Sequence, residues 1–200
     1  VHMLWITAAI IIAVIAAIFC CIFYWDWFHG FEPPRKAAGR LGEDVAASII
    51  QTILHDDDIL LNNVFLSVRG RDTELDNVIV NRYGVFIIEV KNYSGTLVGS
   101  EEDFTWKKSH ISRAGNIYVK EVKNPIRQVR RQIYILSNYL GYYGVRVWVK
   151  GYAYLLEGNS PVASRYILSN AAEIDRAIHT PGRTRLDAQT LHFISALLED

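Results

Sequence analysis

Apolar and polar positions divide the chain into stretches with different periods. From Leu4 to Trp25, 22 residues carry no charge, and Asp26 ends the run. A helix that crosses a bilayer needs roughly 20 apolar residues, so residues 1–27 read as a transmembrane anchor. Residues 28–38 hold Gly30, Pro33 and Pro34 and read as a juxtamembrane linker. From Gly39 to about His55, Leu41, Val45, Ile49, Ile50 and Ile53 recur at helical spacing, and Asp56-Asp57-Asp58 ends the helix. Three runs rich in β-branched and apolar residues follow: Ile59–Val68, Glu74–Asn81 and Val85–Lys91. Gly95–Val98 predicts a short strand with Trp106 closing the same sheet, and Asn116–Lys120 another strand. Asn124-Pro125 starts a helix, with Asn as cap and Pro at the first helical position, that runs to about Leu140. Val145–Leu156 reads as a strand broken at Gly151. Two short helices, Ala171–His179 and Asp187–Leu198, close the chain on either side of Pro181 and Gly182. The order helix, three strands, helix, strand predicts one α/β domain over residues 39–200, a mixed sheet flanked by helices.

One apolar run ends in an unexpected way. Gly84–Ile88 leads into Glu89-Val90-Lys91, two ionisable groups at the end of a greasy strand. Burying an unpaired charge is costly, so each group must be paired, hydrated or bound to a metal. The turn Asn81-Arg82-Tyr83-Gly84 joins this strand to the one holding Asp76. A loop of two or four residues puts Asp76 opposite Glu89 and Glu74 opposite Lys91; a three-residue loop without a bulge sends Asp76 and Glu89 to opposite faces. Side chains alternate with period two, so Asp76, Glu89 and Lys91 converge in the even case. Two carboxylates this close repel, which a divalent cation relieves, and hard oxygen ligands suit Mg²⁺ or Mn²⁺. Spacing alone admits an ordinary lysine–carboxylate cluster at a sheet end as readily as a metal site.

The flanks of the apolar segment give it a direction. Trp5 lies at one end and Tyr24, Trp25 and Trp27 at the other, as in an interfacial belt. Arg35, Lys36 and Arg40 follow it and no Lys or Arg precedes it, so the positive-inside rule expects a single-pass protein with its C-terminal domain in the cytoplasm. A secretory signal peptide is the rival reading, weakened by the missing basic start and the length of the run. A buried core helix is the third. Cys20 and Cys21, both inside this segment, offer the body no disulfide framework, which fits a reducing compartment. The six histidines are scattered with no pair at metal-ligand spacing, which speaks against zinc.

Charge is balanced overall, with 21 basic and 21 acidic residues. Residues 1–34 hold only Asp26 and Glu32, so the rest carries 21 basic against 19 acidic groups, a net +2. That is too little for a general nucleic-acid coat. Between Phe104 and Arg131, however, Lys107, Lys108, Arg113, Lys120, Lys123, Arg127, Arg130 and Arg131 face one acid, Glu121. Such a stretch suits a phosphate backbone; a solvated face, or attraction to an anionic leaflet, are the alternatives.

Five motifs in order then resemble a known family: Gly39-Arg40-Leu41-Gly42-Glu43, Thr73-Glu74-Leu75-Asp76, Gly84 to Gly95, Trp106, and Asn124-Pro125-Ile126-Arg127-Gln128. Together they resemble the nuclease-related domain (NERD) family over about Gly39–Leu140. That family is similar to the PD-(D/E)xK nucleases, so the resemblance implies a restriction-endonuclease-like core: helix, three-strand meander, helix, strand. It implies Asp76 and Glu89 as metal-binding carboxylates for Mg²⁺ or Mn²⁺ and Lys91 as the active-site lysine. Glu43 completes the metal shell or is a first-turn acid favoured by the helix dipole. Gln128 orients Lys91, touches substrate or is merely exposed. Tyr93 and Trp106 read as core or rim residues ahead of base-stacking platforms, and Asn77 points away from the site. The implied reaction is hydrolysis of DNA at the membrane. The alternative is a catalytically silent module that binds nucleic acid, protein or anionic lipid there.

Overall fold

The computed structural model describes residues 17–21, 34–68, 70–112, 114–182 and 185–199. Residues 17–21 are helical; the rest of the Leu4–Trp25 anchor segment lies outside the described residues. Among the described residues no helix is long and apolar enough to cross a membrane. Contacts divide the chain into Val1–Ala38 and Gly39–Asp200.

Helix α1 spans Pro34–Gln51. It therefore begins within the predicted linker, with proline at its first turn, where a missing N–H costs nothing. The stripe it buries also differs from the predicted one. Leu41 and Val45 are exposed, while Gly42, Ala46 and Ile50 are buried. A Cβ on Gly42 would sit 3.0 Å from Cβ of Asn92. The small residues at 42 and 46 bring the helix close to the sheet, a fit the bulkier Leu41 and Val45 would not allow.

Strands β1 (Ile59–Val68), β2 (Arg71–Asn81) and β3 (Gly84–Lys91) form the expected antiparallel meander. Three strands come next: β4 (Thr96–Val98), β5 (Thr105–Ile111) and β6 (Ile117–Lys123). Trp106 and β4 do share a sheet, but it is a separate three-stranded one. Helix α2 (Pro125–Tyr142) starts on its Asn124 cap, whose side chain accepts the Ile126 N–H at 3.0 Å. It crosses over to β7 (Val149–Leu155), which pairs parallel with β3. β7 runs through Gly151 without the predicted break. A Cβ there would meet Cγ1 of Val129 at 2.8 Å, so the glycine admits α2 rather than ending the strand. Then come β8 (Ile167–Leu168), α3 (Ala171–His179) and α4 (Ala188–Glu199).

The main sheet, in the order β1-β2-β3-β7-β8, lies between two helical layers. Val78, Val80, Val85 and Ile87 pack with α2 and α4 residues such as Leu136 and Ile194. Ile79, Phe86, Ile88 and Val90 pack with Ala46 and Ile50 of α1 and Ile174 and Ile178 of α3. The alternation along β3 thus sends odd positions toward α2. Glu89 is the next odd position.

Candidate metal-dependent hydrolase site

β2 and β3 close on a two-residue loop, Arg82-Tyr83, with Asn81 opposite Gly84. This is the even-loop case, and the register holds to the pair Asn77–Ile88. Asp76 and Glu89 are the next positions in that register. Neither ladder continues through Asp76, however. β3 pairing stops one residue short of it, and β1 pairing skips from Asn62–Asn77 to Val64–Leu75. Asn63, at the skipped position, has φ of 54°, the one non-glycine residue with positive φ among the described residues. Asparagine tolerates this left-handed conformation better than the β-branched residues around it. The Asp76 carboxylate takes over from the interrupted ladder: its Oδ2 accepts the Val90 N–H at 2.7 Å. Oδ1 accepts no hydrogen bond among the described residues.

Glu89 is 1% exposed. Its Oε1 accepts from Lys91 Nζ and from Gln128 Nε2, and its Oε2 accepts from Gln132 Nε2. Gln128 and Gln132 stand one turn apart on α2, so both reach the same carboxylate. Gln128 therefore orients Glu89, not Lys91. Gln132 was missed in the sequence, although a readable signal exists. It is a polar residue inside the buried stripe Val129, Gln132, Leu136. Its amide also donates to the Glu74 carbonyl at 3.1 Å, while its own Oε1 is buried with no hydrogen-bond partner among the described residues.

The charges respond to one another. Burial and then the Glu89 charge push the Asp76 carboxyl up to about 7, against the opposing pull of the Val90 N–H and Lys91. Burial works to lower the Lys91 pKa, but Glu89, by charge and by hydrogen bond, more than offsets it and holds the ammonium above its ordinary value. Glu43 on α1 is half-buried. Burial and then the charge of Glu74 raise its carboxyl, Glu89 adds to the rise and Lys91 counters it. It makes no hydrogen bond or ion pair with these groups among the described residues. Glu74, absent from the sequence-derived site, joins it through this field. Trp106 is fully buried and donates to the Ser100 carbonyl at 2.8 Å; Tyr93 is half-buried, its hydroxyl on the Lys123 carbonyl at 3.2 Å. Both are core or rim residues. Asn77 turns away and donates to the Ile88 carbonyl at 3.3 Å.

The donor set fits a hard divalent cation: neighbouring carboxylate charges raise the pKa of Asp76 and Glu43, Asp76 keeps a free Oδ1, and no sulfur or imidazole lies nearby among the described residues. The nuclease-related domain (NERD) model matches residues 38–156. The chain belongs to this family. The NERD match runs from α1 to the end of β7 and contains Glu43, Asp76, Glu89, Lys91, Gln128 and Gln132. It leaves out α3 and α4. An uncharacterized protein of Bacillus anthracis is similar, 26% identical over 99 residues, 49% of this chain and 44% of the relative. The match thus spans less than half of that relative's length. No solved structure matches the chain.

Proposed function

We propose that this NERD-family chain is a membrane-anchored, Mg²⁺-dependent DNA phosphodiester hydrolase of the PD-(D/E)xK type. The observation that carries the reading is the convergence of Asp76, Glu89 and Lys91 at one end of the buried hairpin. Asp76 and Glu89, with Glu43 beside them, would hold Mg²⁺ or Mn²⁺, which when bound shields phosphate charge and acidifies a bound water. Lys91 supplies a fixed positive charge where negative charge grows on the phosphate, held in place by Glu89 rather than free to wander. Gln128 and Gln132 lock Glu89 in one orientation, so the groups it positions need little reorganisation. Lysines of β5 and β6 would hold the DNA backbone without reading its sequence.

The uncharged Leu4–Trp25 run supports anchoring, and Arg35, Lys36 and Arg40 after it support a cytoplasmic domain. A tethered nuclease of this kind would meet incoming DNA more readily than the chromosome.

The test is cleavage by the full chain in detergent, on single-stranded, double-stranded and branched DNA with Mg²⁺ or Mn²⁺. Asp76→Ala and Lys91→Ala should each lose at least about 100-fold. Cleavage that both variants retain contradicts the proposal. One observation favours a silent binding module instead: Glu89 is fully satisfied within the chain, by Lys91, Gln128 and Gln132. A folded chain that binds DNA but cleaves none of these substrates would select that reading.

A further inference from the structure

At the opposite end of the main sheet, beside the β2–β3 turn, lies a cluster the hydrolase does not use. The loop from α1 to β1 supplies His55 and Asp58, and α3 ends at His179. Asn81 ties this end of β2 to α3, its Nδ2 donating to the Ile178 carbonyl at 3.2 Å. From Asp76 to Asn81 the strand rise makes roughly 17 Å, so the two sites are separate.

The rings of His55 and His179 are stacked, with centroids 3.8 Å apart and 7° between planes. Nε2 of His179 faces Asp58 Oδ2 at 2.7 Å, and Nδ1 faces Asp175 Oδ1 at 2.5 Å. Asp58 Oδ2 also accepts the His55 backbone N–H at 2.8 Å. The side chains of Asp58 and His179 are 3% and 10% exposed. A neutral imidazole carries one N–H, so His179 cannot donate to both carboxylates. A positive charge at the ring satisfies both carboxylates, whether it is a second ring proton or a metal ion that takes that proton's place at Nε2. At Nδ1 the carboxylate partner is Asp175 alone. Nε2 is the nitrogen that meets Asp58, and one ligand atom each from His55, Asp58 and His179 lies within 4.8 Å of the others.

We propose that His55, Asp58 and His179 form a binding site for a transition-metal ion of the Zn²⁺ class, with Asp175 orienting His179 from its far nitrogen. Two imidazoles and a carboxylate with a free fourth position form a zinc-type donor set. A carboxylate on the distal ring nitrogen is the usual support for a metal-bound histidine. The ion would also neutralise the buried Asp58 charge. The site joins a loop of the NERD-matched region to α3, which lies beyond the match. Its role is therefore a structural staple that fastens the C-terminal helices to the family core. The sequence showed no such pair because His55 and His179 are far apart in the chain and meet only through the fold.

The experiment uses the full chain in detergent with Asp76→Asn, which removes the carboxylate pair from the readout and leaves Glu89 to hold Lys91. Zn²⁺ alone is the probe, followed by metal content after dialysis and by thermal melting. The expected result is one equivalent of retained zinc and a melting point raised by Zn²⁺. His55 is exposed, so His55→Ala should keep the far-UV spectrum while zinc affinity falls at least about tenfold and the melting shift disappears. Asp175→Asn should weaken zinc by about 10–100-fold. No retained zinc, or equal zinc affinity in the His55→Ala chain, overturns the proposal.

Discussion

The two sheets of this protein carry charge in opposite ways. In the five-stranded sheet, Glu89 is 1% exposed and accepts from Lys91, Gln128 and Gln132, each of which the fold delivers from a fixed element. In the three-stranded sheet, β6 is exposed along its length apart from Val122. There Lys108 lies directly across from Lys120, a like-charge pair that weakens strand pairing. Neither lysine makes an ion pair among the described residues. Glu89 and Lys91 in the first sheet hold each other, and removing one leaves the other stranded. Lys108 and Lys120 in the second have no such partner among the described residues, which leaves them open to a polyanion.

The sharpest way to break this contrast is to delete one charge from each sheet. Glu89→Ala strands a buried ammonium and two amides, and should cost about 3–5 kcal/mol in urea unfolding. Lys120→Ala should change stability by less than about 0.5 kcal/mol. Equal losses would erase the distinction.

A second prediction concerns pH. The Asp76 carboxyl is raised from 3.8 to about 7, so the folded state holds this proton more tightly than the unfolded state. Stability of the metal-free protein should therefore fall as pH rises from about 4 to 7, with the full cost present above that window. Asp76→Asn should remove that slope and raise stability at pH 8 in EDTA by about 2–4 kcal/mol. The readout is the urea midpoint across pH 4–8; a slope unchanged in the variant would contradict the assignment.

The smallest effect belongs to the exposed lysines. Replacing Lys108 or Lys120 by Gln should weaken DNA binding alike for all sequences and lower the salt slope by about one per lysine. Stability should hold or rise slightly, since the like-charge pair is relieved.

How much of this was legible follows from chain separation. Asp76, Glu89 and Lys91 sit on one hairpin, so strand periodicity and an even loop were enough to bring them together. Asn124-Pro125 marked the start of α2 because capping is local. Gln132 was marked locally only as a polar residue in the apolar stripe of α2, and its partner Glu89 followed only from α2 lying over β3. The interruption at Asn63 was written only as an Asn-Asn pair within a strand. The exposed face of α1 was misread because Leu41 and Val45 keep helical spacing, while the close approach is made by Gly42 and Ala46. The three-stranded sheet was only half seen, since a strand exposed on both faces shows no clear alternation.

The central claim is that Asp76 and Glu89 share a divalent cation next to Lys91. Calorimetric titration of Mn²⁺ into the whole His55→Ala chain isolates that site from the histidine cluster. The account predicts saturable binding that Asp76→Asn and Glu89→Gln each abolish, and that Lys91→Ala retains while losing cleavage. Mn²⁺ bound as tightly by the Asp76→Asn chain would contradict it.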